Sequence, residues 1–311
     1  MATAREIRRR MASIRNIGQI TRAMELIAVT RLRRAQARVV ATRPYAEKMR
    51  QVLGQLVERI DPDANKQRDA YDSYGADEKS SPAMNPLLDR RTEIKRVGVI
   101  VLTTDRGLCG ALNANVIREA TRYTFDQQNQ GREVDLVVVG RKGLQALRRL
   151  PVNIVAEFMG MGDYPDVTKI APIARLAMDA FTSRQVDEVV LIYPRFISTM
   201  RQEPSVVPLL PIQPPERTED ERGSEVDYIY EPSPGEVLSA LLPRFVELQI
   251  YQALLELVAS EFSARMVAMR NATDNAKELS DDLNLALNKA RQAQITNEVA
   301  EIAAGADALR T

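Results

Sequence analysis

The sequence predicts an α/β protein: one long helix at each end, the two paired as an antiparallel coiled coil, and a small doubly wound parallel-sheet domain between them. Three observations carry this. A 4-3 seam runs through the C-terminal segment as Leu241, Phe245, Leu248, Gln252, Leu255, Ala259, Phe262, Met266, Met269, Thr273, Ala276, Ser280, Leu283, Leu287 and Ala290. A second helical pattern fills the N-terminal segment. In the middle the period changes from helix to strand and back several times. Surface helices usually end after about three or four turns, so a seam this long calls for a partner helix.

The first element, 1–60, is expected to start near Thr3. Ile7, Met11, Ile14, Ile17, Met24, Ile27, Leu32 and Val39 recur at three-, four- and seven-residue steps. Pro44 predicts a kink or break, after which Met49, Val52, Leu53 and Leu56 resume the pattern. Residues 61–92 keep no period and contain Pro62, Gly75, Pro82 and Pro86, which predicts a loop or mobile insertion.

From 93 to 200, strands are expected at Val97–Leu102, Leu136–Val139 and Val189–Tyr193, with a weaker one at Val152–Phe158. Helical patterns at Asn113–Gln130, Lys142–Leu150 and Thr168–Arg184 separate them. Strand and helix in alternation predict parallel strands with crossovers, a Rossmann-like arrangement. Residues 201–234 carry seven prolines from Pro204 to Pro234 and are expected to be irregular. The last element, 235–311, has Pro243 as its one proline, within the first turns where proline is tolerated. At 1.5 Å per residue such a helix is roughly 110 Å long. Each terminal helix can supply the partner that the other needs.

Composition narrows the function. The chain is 45% hydrophobic, enough for a packed core, but only 5% aromatic and without Trp, which suits slender helices packed by Ala, Leu, Ile and Met. Residues 1–50 hold 13 Lys and Arg against Glu6, Glu25 and Glu47, although the whole chain is near neutral at +1. A basic end of this kind attracts nucleic acid or an acidic protein surface. The arginines surround the helix and no stacking aromatics interleave them, which favours protein. The absence of His removes the commonest general base and a common metal ligand. Cys109 is the only cysteine, so no intrachain disulfide can form. The longest apolar run, near Val97–Leu102, is too short to span a bilayer, and no apolar stretch of a secretory signal follows the first arginines.

A doubly wound sheet invites a nucleotide-binding reading, and Thr104-Asp105-Arg106-Gly107-Leu108-Cys109-Gly110 follows the first strand. Its glycines are three apart and match neither G-x-G-x-x-G nor a phosphate loop with its Lys-Ser/Thr pair. A tight strand-to-helix turn explains them, and Gly160-Met161-Gly162-Asp163 reads as another turn. Cys109 reads as a small buried hydrophobe. No catalytic constellation, cofactor site or metal site is expected.

Local sequence adds a resemblance. Arg5-Glu6-Ile7-Arg8, Ile20-Thr21-Arg22-Ala23-Met24-Glu25, Arg43-Pro44-Tyr45, the Thr104–Gly110 and Gly160–Asp163 segments, and Tyr228-Ile229-Tyr230-Glu231-Pro232 resemble the gamma subunits of rotary F-type ATP synthases. So do Arg265-Met266-Val267-Ala268-Met269, Ala272-Thr273-Asp274-Asn275 and the run from Asn288 to Thr296. The resemblance implies a central rotor shaft, one copy per complex, turning inside a catalytic head of alpha and beta subunits. It also implies an epsilon partner and attachment to a proton-carrying membrane c-ring, on the cytoplasmic face of a bacterial plasma membrane.

Residue by residue, the resemblance implies that Arg8, Arg9, Arg10 and Met24 meet the head, as do Arg265, Arg291, Gln292, Thr296 and Glu298. Tyr228, Tyr230 and Glu231 are implied to meet the ring. As residues alone, Met24 is equally a seam position and the arginines a solvated helix face. The small apolar tip Ile302-Ala303-Ala304-Gly305-Ala306 reads as a bearing surface or as a frayed end. The 61–92 segment is longer than is usual in bacterial relatives, and the cysteine pair of the chloroplast regulatory insert is missing, so a dithiol switch is excluded. Two other readings stay open: an α/β nucleotide-binding enzyme with coiled-coil arms, and a basic coiled-coil nucleic-acid binder.

Overall fold

The computed structural model describes residues 4–60, 85–213 and 228–308. Its elements are α1 (Ala4–Ile60), a 3-10 turn (Pro86–Leu88), β1 (Arg96–Leu102), α2 (Leu112–Asn129), β2 (Glu133–Val139) and α3 (Arg141–Leu147). They continue with β3 (Asn153–Phe158), α4 (Val167–Thr182), β4 (Glu188–Phe196), β5 (Gln202–Leu210) and α5 (Pro234–Ala308). Two compact units result, Met1–Thr30 with Arg265–Thr311, and Arg31–Ala264.

In the first unit the two terminal helices run antiparallel. Thr21 Oγ1 lies 2.8 Å from Thr273 Oγ1, and Arg270 Nε donates to Glu25 Oε1 at 2.9 Å. A Cβ at Gly18 would sit 3.4 Å from the Ala276 Cβ. The residue numbers of these pairs add to 294 or 295, so α1, which begins at Ala4, runs out opposite Ala290. Every residue from Arg291 to Ala300 is accordingly exposed.

The seam on α5 follows the expected positions, with Met266, Met269 and Ser280 buried and Leu283 and Leu287 half-buried. On α1 it does not. The inward stripe runs Ile7, Met11, Ile14, Gly18, Thr21, Glu25 and Ala28, while Ile17 and Ile27 are 50% and 53% exposed. A 4-3 step from Ile7 lands on small and polar residues, and the apolar positions that mimic a seam lie beside it.

The second unit is built on a five-stranded sheet of order β3-β2-β1-β4-β5. β1 is parallel to β2 and β4, and β2 is parallel to β3, with Val99 opposite both Leu136 and Val190. β1 is buried on both faces. Val97, Val99 and Val101 pack with Val116 and Ala120 of α2 and Leu144 and Leu147 of α3. Ile100 and Leu102 face the other way, onto a core with Ile173 and Phe181 of α4, Leu53 and Leu56 of α1, and Val246 and Ile250 of α5. Full burial of each such side chain stabilises by about 1.5–3 kcal/mol, so this shared core anchors the helices to the sheet.

Helix α3 approaches the end of β1 so closely that glycine is required. A Cβ at Gly140, where φ is +95°, would lie 2.1 Å from the Thr103 carbonyl oxygen, and one at Gly143 would lie 2.6 Å from Thr103 Oγ1. That hydroxyl donates to Val139 O and accepts from Gly143 N, both at 2.9 Å.

Three expectations are corrected. Pro44 does not break α1, which is one helix of 57 residues. Its ring is solvent-exposed, where water can satisfy the freed carbonyl, and Ala46, Met49 and Leu53 hold the next turns in the core. Residues 202–210, expected to be irregular, form β5, antiparallel to β4. Pro204 and Pro208 are tolerated because β5 is an edge strand. Within 61–92, the described part from Asn85 is ordered core: Leu87 and Leu88 are buried, and Leu87 O accepts from Ile212 N at 2.8 Å.

Candidate functional site

In the first unit, Arg8, Arg9 and Arg10 are exposed on α1, and Arg10 Nη2 reaches Glu6 Oε1 at 2.9 Å. Met24 is half-buried at the edge of the seam, next to Glu25, which is buried. Arg265 is buried at 7% exposure, unlike the other expected arginines. Arg291, Gln292, Thr296 and Glu298 all lie on the unpaired stretch of α5. Thr296 Oγ1 donates to Gln292 O at 2.9 Å, and Gln294 Nε2 donates to Glu298 Oε1 at 2.9 Å.

The same unit exposes apolar residues, two of which, Ile17 and Ile27, the sequence pattern placed in the seam. Ile17, Ile20, Leu26 and Ile27 on α1 and Ile295, Val299 and Ile302 on α5 are large apolar side chains, each at least half exposed. The readable signal was their excess over the seam. A groove of about 600 Å³ runs between the helices, with Ile14, Gly18, Leu26 and Ala276 in its lining and Arg15, Arg22 and Lys277 around it. Asp281 also lines it, so the rim has three cations against one carboxylate, and apolar surface with such a rim suits a protein partner with acidic groups.

In the second unit, the rings of Tyr228 and Tyr230 are tilted at 50° to each other with centroids 6.3 Å apart. Lys48 Nζ sits 5.3 Å over the Tyr228 ring, and the Arg59 guanidinium 5.7 Å over that of Tyr230. Arg59 Nη1 also donates to Tyr228 O at 3.4 Å. This fixes the segment on α1 while Ile229, 90% exposed, and the exposed Glu231 point to solvent. Ile229 lies inside the quoted motif, yet only the structure singles it out.

At the carboxyl ends of β1, β2 and β3 the loops bond to one another. Asp105 accepts from Arg141 N at 3.1 Å and from Gly160 N at 3.0 Å, taking backbone donors that a phosphate would need. Leu108 and Gly110 both have positive φ, as a tight turn demands, and Cys109 is buried with Asn113 Nδ2 donating to its sulfur at 3.2 Å. The Gly160–Asp163 turn does more than reverse the chain. Asp163 pairs with Arg31 and Arg106, and Tyr164 accepts from Arg34 at 3.3 Å while the Arg38 guanidinium lies 4.3 Å over its ring. Among the described residues no helix is long and apolar enough to cross a membrane.

One unit of paired terminal helices carrying exposed charge and exposed apolar side chains, and one doubly wound unit, define the class: a mixed α/β protein with a coiled-coil helix pair. The ATP synthase family profile matches residues 3–309. The ATP synthase gamma chain of Roseiflexus castenholzii is 48% identical over 309 residues, covering 99% of each chain. That of Herpetosiphon aurantiacus is 46% identical over 314 residues, with the same coverage. Among solved structures, the rotor of Euglena gracilis mitochondrial ATP synthase is similar with a TM-score of 0.58 at 18% identity, covering 94% of this chain and 98% of that one. The central stalk and c-ring structure of Tetrahymena thermophila mitochondrial ATP synthase contains a chain similar at a TM-score of 0.55 and 22% identity, covering 81% of this chain and 99% of that one. The chain belongs to the ATP synthase gamma-chain family.

Proposed function

We infer that the chain is the central rotor shaft of a proton-translocating F-type ATP synthase, coupling rotation of a membrane ring to conformational change in the catalytic head. The observation that carries this is the first unit: a helix pair that among the described residues reaches Ala290, beyond which every residue of α5 to Ala300 is exposed. A single asymmetric shaft inside three similar catalytic sites presents a different face to each, and shifts their populations only through contacts that differ between states. Moving one site from 1:99 to 99:1 takes about 5.5 kcal/mol of differential interaction, which calls for several contacts acting together.

Arg8, Arg9, Arg10, Met24, Arg265, Arg291, Gln292, Thr296 and Glu298 are the proposed contacts to alpha and beta subunits. Long arginine side chains keep their attraction while the opposing surface changes. Tyr228, Tyr230 and Glu231, with Ile229 between them, are the proposed contact to the c-ring. The chain is read as non-catalytic, because Asp105 occupies the donors that a nucleotide phosphate would use. One copy per complex, an epsilon partner and a place at the cytoplasmic face of a bacterial plasma membrane complete the reading.

The test is a reconstitution of the full chain with the alpha and beta subunits of its own complex, carrying a bead on a cysteine introduced at Ile229. ATP should drive stepwise bead rotation, and the chain alone should hydrolyse no ATP. A complex that hydrolyses ATP at full rate with a stationary bead, or hydrolysis by the chain alone, would overturn the reading.

A further inference from the structure

The Arg43-Pro44-Tyr45 segment, which the shaft reading leaves without a role, borders a second cavity. This one, of about 310 Å³, lies within the second unit between α1, α5 and the end of β4. Arg43 and Arg50 enter from α1, and Arg195 enters from β4. Among the described residues none of the three side chains makes a hydrogen bond or an ion pair. Three guanidinium groups around one cavity repel each other and gain from a shared counter-anion.

Two carboxylates, Glu47 and Glu256, also line the cavity against the three guanidinium groups, and among the described residues neither makes an ion pair. Glu256 Oε2 accepts from Phe196 N at 3.2 Å. Burial pushes its carboxyl above the ordinary range, against the pull of that N–H and of Arg195 and Arg43. Glu47 is exposed, as are Arg43, Arg50 and Arg195.

We propose that this cavity binds a polyvalent oxyanion of the phosphate class, with Arg43, Arg50 and Arg195 as charged donors and Gln252 as a neutral one. Guanidinium forks match phosphate oxygens in geometry as well as in charge. Arg43 and Arg50 lie two helical turns apart, about 10.5 Å along the axis, which suits a chain of two or three phosphates better than one. The volume corresponds to roughly ten waters, ample for such a ligand. No aromatic ring lines the cavity, so a nucleobase gains no stacking there. Phosphate chain length, not the base, sets the affinity.

The experiment is calorimetric titration of the full chain with phosphate, pyrophosphate, tripolyphosphate and ATP in 0.15 M salt. One saturable site is expected, tighter for tripolyphosphate than for phosphate, and no tighter for ATP than for tripolyphosphate. Arg43→Gln with Arg195→Gln should weaken tripolyphosphate binding at least tenfold, while Arg149→Gln, exposed and away from the cavity, should change it less than twofold. If the double variant loses its helical circular dichroism, Arg195→Gln alone should still cost about threefold. Absence of a saturable site, equal loss in Arg149→Gln, or undiminished binding in the cavity variants would overturn the proposal. So would a site present in the isolated chain but absent from the assembled complex, because an acidic segment of a partner would then be the occupant.

Discussion

Asp187 shows how one side chain holds the α/β domain together. Its carboxylate accepts from Lys95 N at 2.8 Å, Arg96 N at 2.9 Å and Arg91 Nη1 at 2.8 Å. Arg91 in turn donates to the Val186 and Phe181 carbonyls and lies 4.5 Å over the Phe181 ring. Burial alone would raise the Asp187 carboxyl, but the Arg96 N–H, the Arg91 guanidinium and the Lys95 N–H outweigh it and hold it below the ordinary range. A carboxyl depressed on folding contributes stability that is complete above its unfolded value, near 4, and is lost as pH falls through the folded one. Asp187→Asn should therefore cost about 1–2 kcal/mol at pH 7. In urea titrations the gap between variant and parent should shrink as pH is lowered to 4 and below. A gap constant across that range would mean that the charge is irrelevant. The sequence could not reveal this cluster, because Arg91 falls in a segment without periodicity and its partners are about 90 residues away.

At the scale of elements, what was legible depended on how far packing follows hydrophobicity. β1, β2 and β4 are buried by helices or strands on every side, so continuous runs of Val, Ile and Leu announced them. β5 hid behind prolines that an edge strand can carry. The seam of α1 was misread for a related reason: Gly18, Thr21, Glu25 and Ala28 let two backbones approach, and no hydrophobic count selects them. Thr21 and Thr273 each have one hydroxyl proton, with Gly18 O, Met269 O and the partner hydroxyl as acceptors, so one hydroxyl donates to its own backbone and the other across the seam. Gly18→Ala tests this account of the seam. Its Cβ would meet Ala276 at 3.4 Å, an ordinary contact, and alanine is the better helix former by about 1 kcal/mol. The expected outcome is a gain of about 0.5–1 kcal/mol in thermal denaturation of the chain. A loss of that size would mean that the helices approach more closely here than the Gly18–Ala276 spacing indicates.

For the whole molecule the question is what the uneven charge is for. Arg8, Arg9, Arg10, Arg15 and Arg22 are all exposed on α1, and they point in several directions around it. Their number was legible in the sequence and their solvent-facing placement follows from the seam, whereas the exposed isoleucines beside them emerged only once that seam was fixed. No single partner can satisfy arginines on several faces at once. In a turning shaft, successive arginines can meet acidic surfaces on successive subunits. Arg9→Glu with Arg10→Glu should leave folding intact, since exposed substitutions usually shift stability by about 0.5 kcal/mol or less and acidic groups suit a helix N-terminus. Turnover or coupling in the assembled complex should fall. The difference between variant and parent should depend on salt, because exposed charges more than about 10 Å apart are screened at 0.1 M. The measurement is ATP-driven proton pumping at low and high ionic strength, with variant and parent complexes matched for subunit content. Pumping equal to the parent's under both conditions would mean that these arginines serve only to keep the helix solvated.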